Sequence, residues 1–140
     1  MSRSNYSDDC SESECNLWAG AVRCAIRGTR GQRLLREMAE AMDAMPEKKL
    51  IANALERNGA YCALGVVGKH RGLDMTKVDA DDPDQVGMML DIARAMAAEI
   101  AYRNDETMFD EYEDTAHQRW QYMRGWVANN IIHQENTNGR

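Results

Sequence analysis

Apolar residues recur at the spacing of an α-helix through the first third of the chain. Trp18, Val22 and Ile26 lie four residues apart, and this spacing predicts a helix that begins near Ser13. Gly28 and the residues that follow it interrupt that helix. A second helix is predicted next, because the sequence places a set of apolar residues on one of its faces: Leu34, Leu35, Met38, Ala41, Met42 and Met45.

Pro46 predicts a boundary after the second helix, because proline cannot continue a helix but is well suited to begin one. A third helix is therefore predicted from Pro46 to a stop at Asn58-Gly59, with Leu50, Ile51, Ala54 and Leu55 buried. The next segment, Ala60–Gly72, fits either a short strand or a buried helix. We favour a helix, since a single strand would have nothing to pair with.

Two more helices are predicted in the second half of the chain. Asp82, Pro83 and Gln85 are the residue types that favour the N-cap, first and third positions of a helix. That helix is expected to continue to about Arg103, with an apolar face formed by Val86, Met89, Leu90, Ala93, Met96, Ala97 and Ile100. The apolar face of the last helix consists of Ala116, Trp120, Met123, Val127 and Ile131. The whole pattern predicts an all-α fold, a compact single-domain bundle of five or six helices.

The two ends of the chain are polar. Residues 1–12 are predicted to form a disordered acidic N-terminal tail and residues 134–140 a frayed polar tail, so that the single helical domain covers residues 13–133. With 140 residues, of which 44% are hydrophobic, the chain can bury one core. The sequence has neither a transmembrane-length apolar run nor a signal-peptide pattern, so we expect a cytoplasmic protein with no membrane partner.

The net charge of −6 is unevenly distributed along the chain. Residues 1–18 carry a charge of −3 and residues 74–140 a charge of −8, whereas residues 19–73 carry ten Lys and Arg against five Asp and Glu. Two interpretations remain open. The basic stretch could attract the acidic remainder of the same chain, or it could form a surface that binds a partner.

A run of arginines is the most specific candidate for binding. Arg23, Arg27, Arg30, Arg33 and Arg36 follow one another at spacings of four, three, three and three, which would keep them near one face of a continuous helix. Gly28 and Gly31 let the backbone turn and would expose helix N-terminal amides beside the arginines, as in a phosphate or carboxylate site. We therefore take as partner-binding residues Arg23, Arg27, Gly28, Arg30, Gly31, Arg33 and Arg36. The alternative is a solvated face that pairs with the acidic half.

Other chemistry-bearing residues predict no catalytic site and no metal or cofactor site. The acids from Asp79 to Asp84 lack the glycine and the twelfth-position acid of a calcium loop, so helix capping explains them better. The histidines are far apart in sequence, and Cys10, Cys15, Cys24 and Cys62 do not have zinc-site spacing, so we expect free thiols. A second acidic cluster, with Phe109 and Tyr112 interleaved, fits either a binding surface or a solvated helix start: Asp105, Glu106, Asp110, Glu111, Glu113 and Asp114.

Three segments of the chain resemble a group of small phage and prophage proteins. They are Trp18–Ala52, which contains the arginine run, Gly65–Met75 and Gln118–Val127. The resemblance implies a phage origin and a bacterial host cytoplasm, and it raises a role in host takeover or defence evasion. It supplies no catalytic residue.

The sequence therefore favours a non-enzymatic helical interaction protein that binds a host or phage protein through the Arg23–Arg36 face or through an acidic face. The alternative is a nucleic-acid or nucleotide-phosphate binding module that uses the same arginines and the Gly28/Gly31 loop. No cofactor is expected, and a homo-oligomer is compatible with either function.

Overall fold

A computed structural model describes residues 3–4, 11–106 and 115–133 of the chain. These residues form six α-helices: α1 (Glu12–Arg27), α2 (Thr29–Asp43), α3 (Ala63–His70), α4 (Pro83–Leu90), α5 (Arg94–Glu106) and α6 (Thr115–Asn130). A hairpin of two short strands, β1 (Glu56–Arg57) and β2 (Ala60–Tyr61), and a 3₁₀ turn at Met75–Lys77 complete the described elements. The predicted all-α helical bundle is confirmed.

The N-terminus of α1 is fixed by a local capping box. The Ser11 hydroxyl accepts a hydrogen bond from the backbone N–H of Glu14, and the Glu14 carboxylate accepts one from the backbone N–H of Ser11. The helix predicted to begin near Ser13 therefore begins at Glu12. It ends at Arg27, with Gly28 as its C-cap, and the sequence predicts this interruption.

The prediction of a third helix from Pro46 to Asn58 is wrong. Two backbone groups of this segment donate to residues outside it: Leu50 N–H donates to the Ala116 carbonyl, and Ile51 N–H donates to the Tyr61 carbonyl. Leu50 and Leu55 are buried, as expected, but they reach the core from an irregular loop. Apolar residues thus fill the core here without helical geometry.

The ambiguous segment Ala60–Gly72 contains both kinds of element. The favoured helix is confirmed as α3, but the residues just before it form strand β2, which pairs antiparallel with β1. The expectation that a strand would lack a partner is therefore wrong. Asn58 and Gly59 adopt positive φ angles at the turn of this hairpin, which explains why an Asn-Gly pair stands there.

The single helix predicted from Pro83 to Arg103 is two helices. Asp82 caps α4 by accepting hydrogen bonds from the backbone N–H groups of Asp84 and Gln85, as predicted. The chain then leaves the helix at Asp91, whose φ of 60° is left-handed, and Ile92 N–H bonds back to the Gly87 carbonyl. The apolar spacing continues across this break, so the sequence pattern does not indicate it.

The core lies between α2, α3, α5 and α6 and is rich in methionine. Met38, Met42, Met75, Met96 and Met123 are all buried. Met89, which was predicted to face the core, is exposed, and Met88 beside it is 84% exposed. In the described part of the chain, no helix has the length and apolar content needed to cross a membrane.

The predicted tails lie largely outside the described residues, which omit 1–2, 5–10 and 134–140. Within the first of them, Arg3 and Ser4 are described and are buried. Among the cysteines, Cys24 and Cys62 are free, as expected, but Cys15 is disulfide-bonded, so the expectation of free thiols is wrong there.

Candidate partner-binding site

The arginine run is divided between two helices. Arg23 and Arg27 lie in the second half of α1, whereas Arg30, Arg33 and Arg36 lie in α2. Gly28 serves both as C-cap of α1 and as N-cap of α2, with an extended backbone at φ −71° and ψ 166°. All five arginines are exposed, but the continuous helix that would put them on one face is not formed.

Gly31 is a packing residue at the crossing of these two helices. It is buried, and a Cβ atom built on it would lie 2.0 Å from the carbonyl oxygen of Ala25. The first turn of α2 therefore rests directly against the last turn of α1. Gly31 allows this close approach, and together with Gly28 and Arg30 it also lines a cavity of about 290 Å³ at the junction of the two helices.

Two of the five arginines have partners within the described ranges. Arg30 forms a 3.2 Å ion pair with Asp91, at the junction of α4 and α5, and both side chains are more than half exposed. Arg36 donates a hydrogen bond of 3.0 Å to the carbonyl oxygen of Ile132, just after α6. Exposed ion pairs of this kind contribute little to stability.

Arg23, Arg27 and Arg33 form no ion pair with any described residue. The interpretation in which the arginines pair with the acidic half of the chain is therefore realised in the described regions only at Arg30. The other three guanidinium groups are exposed at the surface.

Arg23 and Arg27 border a groove of about 510 Å³ between α1, α5 and the end of α6. We call it the α1–α6 groove. Trp18 of α1 and Trp126 of α6 supply its aromatic surface, and Asn129 and Asn130 supply polar groups. The groove thus combines arginine, tryptophan and amide side chains, which are residue types that recognise charged and flat chemical groups.

Arg103 of α5 also lines the α1–α6 groove, beside Glu99. The two side chains form an ion pair of 2.7 Å, and Arg103 also donates to the Tyr122 hydroxyl. Burial by itself would lower the pKa of Arg103, but the bonds to Tyr122 and Glu99 outweigh burial and raise it. Arg103 stays charged and largely neutralises Glu99, so the positive charge of the groove comes from Arg23 and Arg27.

Gln32 fixes the wall of the α1–α6 groove, and it belongs to no motif that predicts a binding site. Its side-chain amide donates to the carbonyl oxygens of Ile26 and Asn130, at 2.8 and 2.9 Å, and its side-chain oxygen accepts from Ile132 N–H at 2.8 Å. It thereby joins the ends of α1 and α6 to α2. The available signal was a polar residue at a core position, since Gln32 precedes Leu35 and Ala39 at helical spacing.

A second groove, of about 550 Å³, lies between the end of α2, the hairpin and α3. Its floor includes Met45, Ile51 and Tyr61, and Lys69 extends over the Tyr61 ring with its Nζ 5.4 Å from the ring centre. None of the arginines that the sequence singles out lines this groove. It is slightly larger than the α1–α6 groove but contains none of the candidate arginines, so it fits the sequence prediction less well.

Among the remaining sequence candidates, His70 lines the second groove, and the other described ones lie outside both grooves. The side chain of Asp105, from the acidic cluster, is buried, whereas residues 107–114 lie outside the described residues. His117 contacts the Lys48 carbonyl, and His133 is exposed. Within the described ranges, no three His, Cys, Asp or Glu side chains are grouped as metal ligands would be.

Comparisons of the chain with protein-family models, curated proteins and solved structures found no match. The resemblance to phage and prophage proteins stays a prediction. Function must therefore be inferred from the chemistry of the site.

Proposed function

We propose that this protein is a non-enzymatic binding protein and that the α1–α6 groove is where its protein partner docks. The observation that carries the proposal is that Arg23 and Arg27, which have no carboxylate partner among the described residues, flank a groove with two tryptophans. Tryptophan and arginine are the residues most enriched among those that dominate binding energy at protein interfaces. A concave surface with both is well suited to a small number of strong contacts.

The charge of the groove selects the partner. Two guanidinium groups that form no ion pair with a described residue favour a partner segment that presents carboxylates, since Arg binds a carboxylate through two parallel hydrogen bonds. The tryptophans favour an apolar or aromatic side chain between those carboxylates. We therefore propose an acidic segment with an apolar anchor as the element that is recognised.

The cellular setting belongs to the same proposal. The resemblance to phage and prophage proteins supports a bacterial host cytoplasm, with a host or phage protein as the partner and host takeover or defence evasion as the role. Small helical proteins without a catalytic site are suited to act by occupying the surface of another protein.

The test is affinity capture from a bacterial host lysate, compared between three forms of the protein. Arg23→Ala/Arg27→Ala removes the two groove arginines, and Arg57→Ala/Lys77→Ala removes two exposed cations that do not line the groove. We expect the first variant to lose at least about tenfold in affinity for a purified partner, a range typical of interface arginines. The second should bind like the unaltered protein. Equal losses in both variants would show non-specific attraction, and no loss in either would place docking elsewhere.

A nucleic-acid or nucleotide ligand is the second candidate, and the pairing of tryptophan with arginine favours it too. Trp18 and Trp126 could stack on bases while Arg23 and Arg27 contact phosphates, as in proteins that bind single strands. A salt series with single-stranded and duplex oligonucleotides separates the two functions. If the protein binds nucleic acid, the slope of log binding constant against log salt concentration should become shallower in Arg23→Ala/Arg27→Ala, by the amount that about two lost phosphate contacts give. Absence of binding at about 50 mM salt would eliminate this candidate.

A further inference from the structure

A buried arginine from the start of the chain fills a pocket at the C-terminal end of α5. Arg3 is 2% exposed, and its Nε and Nη2 each donate a 2.7 Å hydrogen bond to a different oxygen of Asp105. Its Nη1 lies 3.5 Å from the Sγ of Cys62. Each of the three guanidinium nitrogens therefore donates one hydrogen bond, and two of these bonds form a bidentate pair with the carboxylate.

The carboxylate in this pocket is held by residues other than Arg3. Asp105 Oδ1 also accepts hydrogen bonds from the backbone N–H of Asn53, at 3.0 Å, and from the side-chain amide of Asn104, at 2.8 Å. Asn53 has a left-handed φ of 64°, a conformation that asparagine tolerates better than most residues. The loop and α5 thus orient Asp105 independently of the arginine that it binds.

Asn104 is in turn fixed from three sides. Its amide donates to the Ile51 carbonyl, its side-chain oxygen accepts from Ala63 N–H, and its backbone carbonyl accepts from Arg119 Nε at 2.7 Å. Arg119 is a second cation near Asp105, but its Nε donates to this backbone carbonyl and not to the carboxylate. The pocket wall is therefore complete without Arg3, and the place of the guanidinium is not taken by Arg119.

The balance of charge makes this pocket selective for arginine. The Asp105 side chain is 1% exposed with Arg3 in place, and loss of Arg3 would leave this carboxylate without its ion-pair partner. Burial by itself would raise the pKa of Asp105, but the hydrogen bonds from Arg3 outweigh burial and lower it. A lysine ammonium could not reach both carboxylate oxygens and Cys62 with a planar fork of donors.

We propose that the pocket formed by Asp105, Asn104, Asn53 and Cys62 is a binding site for an arginine side chain, and that an arginine peptide supplied in trans binds there when Arg3 is absent. Arg3 is its ligand in cis. The Ser4 hydroxyl, which donates to Glu106 at 3.2 Å, extends the recognition to the residue after the arginine. The site shares no lining residue with the α1–α6 groove, so the proposal does not depend on the proposed function.

The test uses the full chain with Arg3→Ala and two six-residue peptides. One has the sequence of residues 1–6, and the other has lysine in place of its arginine. We expect Arg3→Ala to lower the melting temperature, the arginine peptide to raise it again, and the lysine peptide to bind at least tenfold more weakly by calorimetry. Protein with Arg3 intact should bind the arginine peptide at least tenfold more weakly than Arg3→Ala does, because its own guanidinium competes.

The controls keep the proposal falsifiable. Adding Asp105→Asn to Arg3→Ala should abolish binding of the arginine peptide. If Arg3→Ala does not fold, Arg3→Lys retains the charge, and the same peptides are compared on that variant. Modification of Cys62 by a thiol reagent, followed by mass spectrometry, should be faster in the variant and slowed again only by the arginine peptide. Unchanged stability without peptide binding, or equal binding of the two peptides, would overturn the proposal.

Discussion

Gln32 shows how one buried polar residue joins three helices. Its side chain makes three hydrogen bonds, to Ile26 in α1 and to Asn130 and Ile132 at the end of α6. Buried backbone groups that lose such a partner retain the cost of their desolvation. The free energy of unfolding therefore depends on this side chain more than on most polar residues.

We predict that Gln32→Met, which keeps the length of the side chain, lowers the free energy of unfolding by about 2 kcal/mol. Urea denaturation measures the change. Gln121→Ala, at an exposed position of α6, is the control, and it should stay within about 0.5 kcal/mol of the unaltered protein. If both variants had the same small effect, the hydrogen bonds of Gln32 would not stabilise the junction.

Gly31 and Gly20 are both helical glycines, but their surroundings are opposite. A Cβ at Gly31 would meet the Ala25 carbonyl at 2.0 Å, whereas a Cβ at Gly20 would meet nothing within 4 Å. We predict that Gly31→Ala lowers the free energy of unfolding by about 2 kcal/mol or more, because α2 must move away from α1. Gly20→Ala should raise it by about 0.5 to 1 kcal/mol through helix propensity alone.

Thermal denaturation of the two glycine variants compares the effects directly. They add the same methyl group to a helix, so a difference in sign reports the α1–α2 contact and not the intrinsic preference for alanine. A stabilising effect of both substitutions would contradict the tight crossing at Gly31.

At the scale of elements, the paired residues Glu37 and Arg71 join α2 to the end of α3. Arg71 donates two hydrogen bonds to the Glu37 carboxylate, at 2.8 and 2.7 Å, and a third to the Leu90 carbonyl at the end of α4. The hydrogen bonds from Arg71 lower the pKa of Glu37 below its usual value, against the opposing effect of burial. A lowered carboxylate pKa stabilises the fold above the pKa of the unfolded chain.

We predict that Glu37→Gln costs about 1 kcal/mol of unfolding free energy at neutral pH and that this cost disappears as the pH falls. The contribution of Glu37 is fully present above about pH 5 and is lost as the pH drops through its lowered pKa. Urea denaturation from pH 7 down to pH 3 gives the profile. Glu40→Gln on the exposed side of α2 is the control and should cost little throughout; a gap for Glu37→Gln that did not change with pH would contradict the ion pair.

The elements that could be predicted from sequence are those whose causes are local. Asp82 and Pro83 specify the start of α4 within one turn, and the apolar spacing of α2 and α6 is uninterrupted. The loop after Pro46 could not be predicted, because its backbone is satisfied by Ala116 and Tyr61, which are distant in sequence. Similarly, the break at Asp91 depends on a left-handed backbone that leaves the apolar pattern unaltered.

The candidate site could be predicted from the sequence only in part, for the same reason. The arginines and glycines are visible in one short stretch, but Trp126 and Asn130 join them from the other end of the chain. Arg3 and Asp105 meet across 102 residues, and no periodic pattern links a polar N-terminal segment to the end of a helix. The sequence pattern therefore does not predict contacts between residues that are far apart in the chain.

At the scale of the whole molecule, the arginines divide into two groups by their surroundings. Arg3, Arg71 and Arg119 are buried or half-buried and hold elements together through hydrogen bonds. Arg23 and Arg27 are exposed and make no ion pair with a described residue. If the basic stretch 19–73 served only to attract the acidic remainder of the chain, the second group would stabilise the fold as well.

Stability and binding should therefore separate in Arg23→Ala/Arg27→Ala. We predict a free energy of unfolding within about 0.5 kcal/mol of the unaltered protein, because surface charges without partners contribute little. Arg71→Ala is the comparison and should cost about 2 kcal/mol, since it leaves Glu37 and the Leu90 carbonyl without their donor. Urea denaturation at low and high salt provides the measurement. A loss above about 1 kcal/mol that diminishes with salt would instead show that the groove arginines pair with acids of the same chain.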